Sequence, residues 1–168
     1  MQRPLLEYDP LEHDKFHALT VRQPYAQDLV TPKTTAEDGT IYGVKSIEVR
    51  SKPTKYRGKL LICSSKTPVY PNYMSGSTLG FVELYDIKPV SEFTEDDWNK
   101  TRIPVADRSK IKRGYGWLMR NPRRVVEYPV HGQLGIYTVV YDKGEIIEYP
   151  THIVYDEQAY NEVMYRLK

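Results

Sequence analysis

The chain predicts a mixed α/β, β-rich fold: a small β pseudobarrel with short flanking helices. Three observations carry that prediction. Its apolar segments are short and separated by Pro and Gly punctuation, as strands of a closed or nearly closed sheet are. Only two segments combine a capping residue or leading proline with a helical stretch inside the body of the chain, and both are brief. Finally, 168 residues with 40% hydrophobic and 27% charged content can bury one core without a disulfide or metal staple.

Residues 1–15 are polar, carry Glu7, Asp9, Glu12 and Asp14, and read as an irregular arm whose acidity is unlike a secretory or mitochondrial leader. Residues 16–21 read as a first strand. Arg22-Gln23-Pro24 then opens a helix over 25–30, proline being well placed in a first helical turn. Residues 31–43 read as loop, with Pro32 and Asp38-Gly39 as turn residues; this insertion, 31–42, is either a lid or plain surface. Residues 46–50 alternate polar and apolar, which sets Glu48 and Arg50 on one face of a strand and Ile47 and Val49 on the other. Continuous apolar strands follow at 58–64 and 78–87. Thr94 caps a helix over 95–100 whose first turn is acidic, as the helix dipole favours. Further strands are expected at 116–119, 125–128 and 134–141, and Asp156 caps a C-terminal helix through Leu167. The expected organisation is an arm (1–15), one domain (16–141), and an extension (142–168) whose helix packs on the domain.

The formal net charge of +2 is unevenly spread. Residues 45–66 and 102–124 hold 15 of the 24 basic and 2 of the 22 acidic residues, which leaves 9 basic against 20 acidic elsewhere. Two such stretches on one face would suit a polyanion; on separate faces they are only solvated surface. No apolar run approaches the length needed to cross a bilayer, so no membrane role is expected. The lone Cys63 excludes an internal disulfide, and the four histidines lack ligand spacing, so no metal and no cofactor are expected. These features together predict a cytoplasmic protein.

Several residues could carry a site. Lys45, after Gly43 and just ahead of a strand, could swing its ammonium into a cleft toward a phosphate or a base carbonyl. Glu48 and Arg50 either pair with each other or leave Glu48 to accept from an exocyclic amine or act as a base. Arg57 before Gly58 could reach a phosphate, and Ser64, Ser65 and Lys66 at the end of the same strand could donate to an anion. Tyr25 and Trp117 are the stacking candidates, but buried aromatics are commoner than stacking ones, so core packing is the favoured reading for Trp117 and stands beside stacking for Tyr25.

The ordered set Gln23-Pro24-Tyr25-Ala26, Gly43-Val44-Lys45-Ser46-Ile47-Glu48-Val49-Arg50-Ser51 and Thr54-Lys55-Tyr56-Arg57-Gly58 resembles the ASCH family. The resemblance continues through Ser64-Ser65-Lys66, Leu79-Gly80-Phe81-Val82-Glu83-Leu84, Trp117 and Asn121-Pro122, and closes with Gly132, Gly135 and Ile136. It implies a PUA-like pseudobarrel whose cleft is lined by the Gly-x-Lys-x-x-Glu-x-Arg segment. It also adds Gln23 and Thr54 to the candidate ligand contacts. Members are proposed to bind RNA, and some short bacterial relatives hydrolyse the amide of acetylated cytidine with a lysine, a threonine and a glutamate. Here Glu48 stands where those relatives have the threonine, and a carboxylate cannot replace a hydroxyl nucleophile without changing the mechanism.

Two functional expectations follow. The first is a module that binds single-stranded or modified RNA, or a nucleoside, in a Lys/Glu/Arg-lined cleft. The second is a small hydrolase of a modified nucleoside or RNA, with Lys45 and Glu48 at its active site.

Overall fold

The computed structural model describes residues 1–150. Eight strands and three short α-helices follow one another as β1 (His13–Val21), α1 (Tyr25–Val30), β2 (Pro32–Thr35), β3 (Ile41–Gly43), β4 (Ile47–Arg50), β5 (Gly58–Ser64), β6 (Thr78–Pro89), α2 (Glu95–Thr101), α3 (Val105–Arg108), β7 (Tyr115–Arg124) and β8 (Ile136–Asp142). Six strands form one sheet in the order β4-β7-β6-β5-β1-β8, and β2 and β3 form a separate hairpin. Within the large sheet only the β1–β5 pair is parallel. The sheet curls into a half-barrel. Its rim strand β4 comes round far enough for Arg50 to donate to the Thr20 carbonyl of β1 at 3.0 Å.

The continuous apolar run of β5 has a simple cause, since both of its faces are buried. Leu60 and Ile62 pack inside the curl with Leu19, Val21 and the Ala26, Leu29 and Val30 face of α1. Leu61 and Cys63 pack on the outer side with Ala18, Phe81, Val125, Val130 and Tyr137. α1 sits directly on β6 because Gly80 has no side chain there; a Cβ would lie 2.8 Å from Val30 Cβ and 2.6 Å from the Arg123 carbonyl.

Several expectations change. The first strand begins at His13 rather than residue 16, because it pairs with β8 from His13↔Asp142 onward. The arm is also tied down, by a 3₁₀ turn at Leu5–Glu7 and by Arg3, which bonds the Val140 carbonyl through its amide and Asp142 through its guanidinium. The 31–43 loop is a β hairpin anchored on β7 by the Ile41 amide to Asn121 Oδ1 at 3.1 Å. β7 runs straight through Asn121-Pro122, which stand opposite Val82 alone in a bulge that accommodates the proline's missing N–H. Residues 125–128 are not a strand; Val125 makes a single bridge to Glu148, and the Val126 amide bonds the Ile147 carbonyl. β8 starts at Ile136, which leaves 134 and 135 in a loop, and α3 was not expected. The helix expected from Asp156 to Leu167 lies outside the described residues.

Candidate functional site: a cleft floored by Lys45, Glu48 and Arg50

Where the curl of the sheet opens, a cleft of about 580 Å³ lies between the end of β1, the start of α1, β4 and the loop before β8. That size suits a small organic ligand. Its floor is a chain of charges. Lys45 Nζ lies 3.3 Å from Glu48 Oε1, and the other oxygen of Glu48 accepts from Arg50 at 2.9 Å. Arg50 then reaches the Thr20 carbonyl, so the triad ties the rim strand β4 across the curl to β1.

Lys45 is held from two directions. Its amide donates to Asp28 O near the end of α1, and its ammonium donates to Thr101 O at the end of α2, at 2.6 Å. The close approach to α1 requires Gly43, where a Cβ would sit 2.8 Å from the Leu29 carbonyl. A cation at a helix C-terminus is favoured by the exposed carbonyls there. The Tyr25 ring lies 4.7 Å from the ammonium and supplies a third, π-type contact. With only 1% of Lys45 exposed, desolvation still dominates and lowers its pKa from the usual lysine range, with the Glu48 charge opposing that shift. Burial, followed by Asp107 and Glu48, raises the Tyr25 phenol.

Of the residues expected from sequence, the cleft collects Tyr25, Lys45, Glu48, Arg50 and Ser65. Ser64 and Lys66 border an adjoining compartment of about 360 Å³. Ser64 is buried, and its hydroxyl both accepts from the Ser77 amide and donates to its carbonyl, so it ties β5 to the start of β6. The other four line neither space. Gln23 is buried and braces α1, accepting from the Gln27 amide and donating to Met74 O. Thr54 Oγ1 caps a turn through the Tyr56 amide. Arg57 folds back onto the Thr54 and Tyr56 carbonyls. Trp117 belongs to the inner core, with its indole N–H on Lys52 O.

The cleft also contains Arg22, Ile103, Gln133 and Leu134, which sequence reasoning passed over. Arg22 adjoins the Gln23-Pro24-Tyr25 motif and was within reach of it. The other three are brought in only by loops.

The two basic stretches meet in part. The β4–β7 register sets Arg50 opposite Tyr115, so Lys52 and the Lys112-Arg113 pair emerge at the same end of the sheet as the cleft. Elsewhere several of these cations are paired: Arg120 with Glu83, Lys59 and Arg123 with Glu148, and Lys110 with Asp107. Among the described residues no helix is long and apolar enough to cross a membrane, and no group of His, Cys, Asp or Glu is arranged to hold a metal ion. Comparisons with family models and with curated proteins found no match to the chain.

Proposed function

We propose that the cleft binds one nucleoside of a single-stranded or modified RNA, and that the half-barrel is a PUA-like domain of the ASCH type. The observation that carries this reading is the floor itself, where a carboxylate is held between two cations beside the half-buried ring of Tyr25. A carboxylate so fixed is a base-edge acceptor: among the described residues Oε1 receives only Lys45 and keeps a lone-pair site for an exocyclic amine of cytosine or adenine. The Tyr25 ring offers a face for stacking, worth roughly 1–3 kcal/mol per base. Exposed Arg22 on the rim, with Lys52, Lys112 and Arg113 at the same sheet end, supplies charge for the phosphates that flank such a base.

The test is retention of RNA oligonucleotides and modified nucleosides, acetylated cytidine included, followed by mass spectrometry. Binding is expected to weaken steeply as salt rises and to be lost in Glu48→Gln, which removes the anionic acceptor. Retention independent of salt and of Glu48 would overturn the reading. One observation favours the hydrolase alternative: Lys45 Nζ and Glu48 Oε1 lie 3.3 Å apart on the floor of the cleft, an ammonium and a carboxylate close enough to pass a proton. A mass change in a retained nucleoside that disappears in Lys45→Ala would establish that alternative instead.

A further inference from the structure

The compartment of about 360 Å³ lies directly beside the cleft, and Thr20, Ser65, Gln133 and Leu134 border both. The tetrapeptide Gly132-Gln133-Leu134-Gly135 borders that junction. Geometry demands each of its glycines for a different reason. A Cβ on Gly132 would stand 2.8 Å from Thr20 Oγ1 on the groove floor, and Gly135 has φ +66°, a left-handed conformation that side chains disfavour. The segment is therefore pressed onto Thr20 at one end and turned sharply into β8 at the other. Thr20 Oγ1 is itself locked to the Tyr137 hydroxyl at 2.6 Å, which makes that contact point rigid.

Among the described residues, the amides of Gly132, Gln133 and Leu134 make no hydrogen bond, and the Leu134 side chain is 99% exposed. Unpaired main-chain donors in succession on a glycine-bounded loop are a general device for holding a phosphodiester, as in RNA-binding loops of the Gly-x-x-Gly kind. Lys66, exposed and without an ion pair among the described residues, lines the same compartment with Ser65.

We propose that Gly132-Gln133-Leu134-Gly135 is a backbone clamp for the phosphodiester next to the nucleoside in the cleft, so that the ligand is a strand of at least two nucleotides rather than a free nucleoside. The proposal rests on the nucleoside reading of the cleft. It is tested by titrating ribonucleosides, nucleoside 3′-monophosphates, dinucleoside monophosphates and inorganic phosphate into the wild-type chain and three variants. A charge-assisted contact of this kind makes the dinucleotide bind about tenfold more tightly than its nucleoside. Leu134→Asp sets a carboxylate against the phosphate from a fully exposed position and should collapse that ratio toward one. Gly132→Ala, which pushes the loop off Thr20, should do the same. Lys45→Ala should lower both affinities together and keep the ratio. A nucleoside bound as tightly as its dinucleotide, or a ratio untouched by Leu134→Asp, would overturn the clamp and leave the cleft reading standing. Competition by inorganic phosphate as strong as by dinucleotide would make the compartment a free-anion site, which also overturns it. Loss of every affinity, nucleoside included, would remove the cleft reading and the clamp together.

Discussion

At the scale of single residues, Lys45 spends its charge on three neighbours, and each has a measurable consequence. Lys45→Ala removes the donor to Thr101 O and leaves Glu48 buried with Arg50 alone. Breaking a buried pair from one side typically costs about 3–5 kcal/mol. We expect a loss near the lower figure in urea unfolding, since Arg50 still partners Glu48. Lys45→Met, which keeps the packing against Tyr25 but not the charge, should lose nearly as much if the ion pair is the cause, and much less if shape is. The role of Lys45 was half legible in the sequence: the Gly43-x-Lys45 spacing pointed into a cleft, and the alternation of 46–50 put Glu48 beside Arg50. Its burial was not legible, because it depends on the Thr101 carbonyl, 56 positions away. The fold puts Trp117 in the core, the reading favoured for it, whereas Gln23, expected at the ligand, braces α1. An aromatic ring or an amide looks the same in sequence whether it faces solvent or braces a helix.

At the scale of elements, the helices matter through their ends. α2 is closed by a capping box, with Thr94 accepting from the Asp97 amide and Asp97 accepting from the Thr94 amide. Thr94→Ala should cost about 1 kcal/mol. Because the far end of this seven-residue helix carries the Lys45 acceptor, the same variant should weaken ligand retention; an unchanged affinity would mean that α2 is held by packing instead. Gly80→Ala forces α1 off β6 and should lower stability by about 1–3 kcal/mol in thermal melts, the usual range for overpacking. Elements with a marked apolar pattern were readable: β5 falls on the residues expected, and β6 extends beyond its expected end by only two residues. The β2–β3 hairpin escaped because Lys33, Thr34 and Thr35 are exposed and carry no alternation. The continuity of β7 escaped because a proline normally interrupts a strand, and only the bulge opposite Val82 lets it pass.

For the whole molecule, ionisation sets a pH limit. Burial pushes the Cys63 thiol and the Tyr85 phenol up to about 12, and raises the Tyr137 and Tyr141 phenols as well. Each is an acid held neutral by the fold, with an ordinary value of 9.0 for the thiol and 10.0 for the phenols. Their stabilisation is therefore complete below about pH 9 and is lost as pH rises through the folded-state values. Lys45 has the opposite sign, because its lowered value lets stability grow as pH climbs toward 10.5, but it is one group against these four and the raised phenols of Tyr25, Tyr56 and Tyr149. Urea midpoints should thus fall between about pH 9 and about pH 12, and Tyr137→Phe should flatten the decline. A midpoint that rises over this range would show that Lys45 dominates. The order of the sheet carries a consequence in time as well as in energy. β1 is made first, yet it lies between β5 and β8, and β8 is not complete until residue 142. During synthesis on the ribosome, one flank of β1 must therefore wait, unpaired, for most of the chain to emerge. Loop closure over such separations is slow, and an open strand edge invites wrong partners. A nascent chain stalled before residue 136 should need a chaperone to stay in solution, whereas one released beyond residue 142 should not.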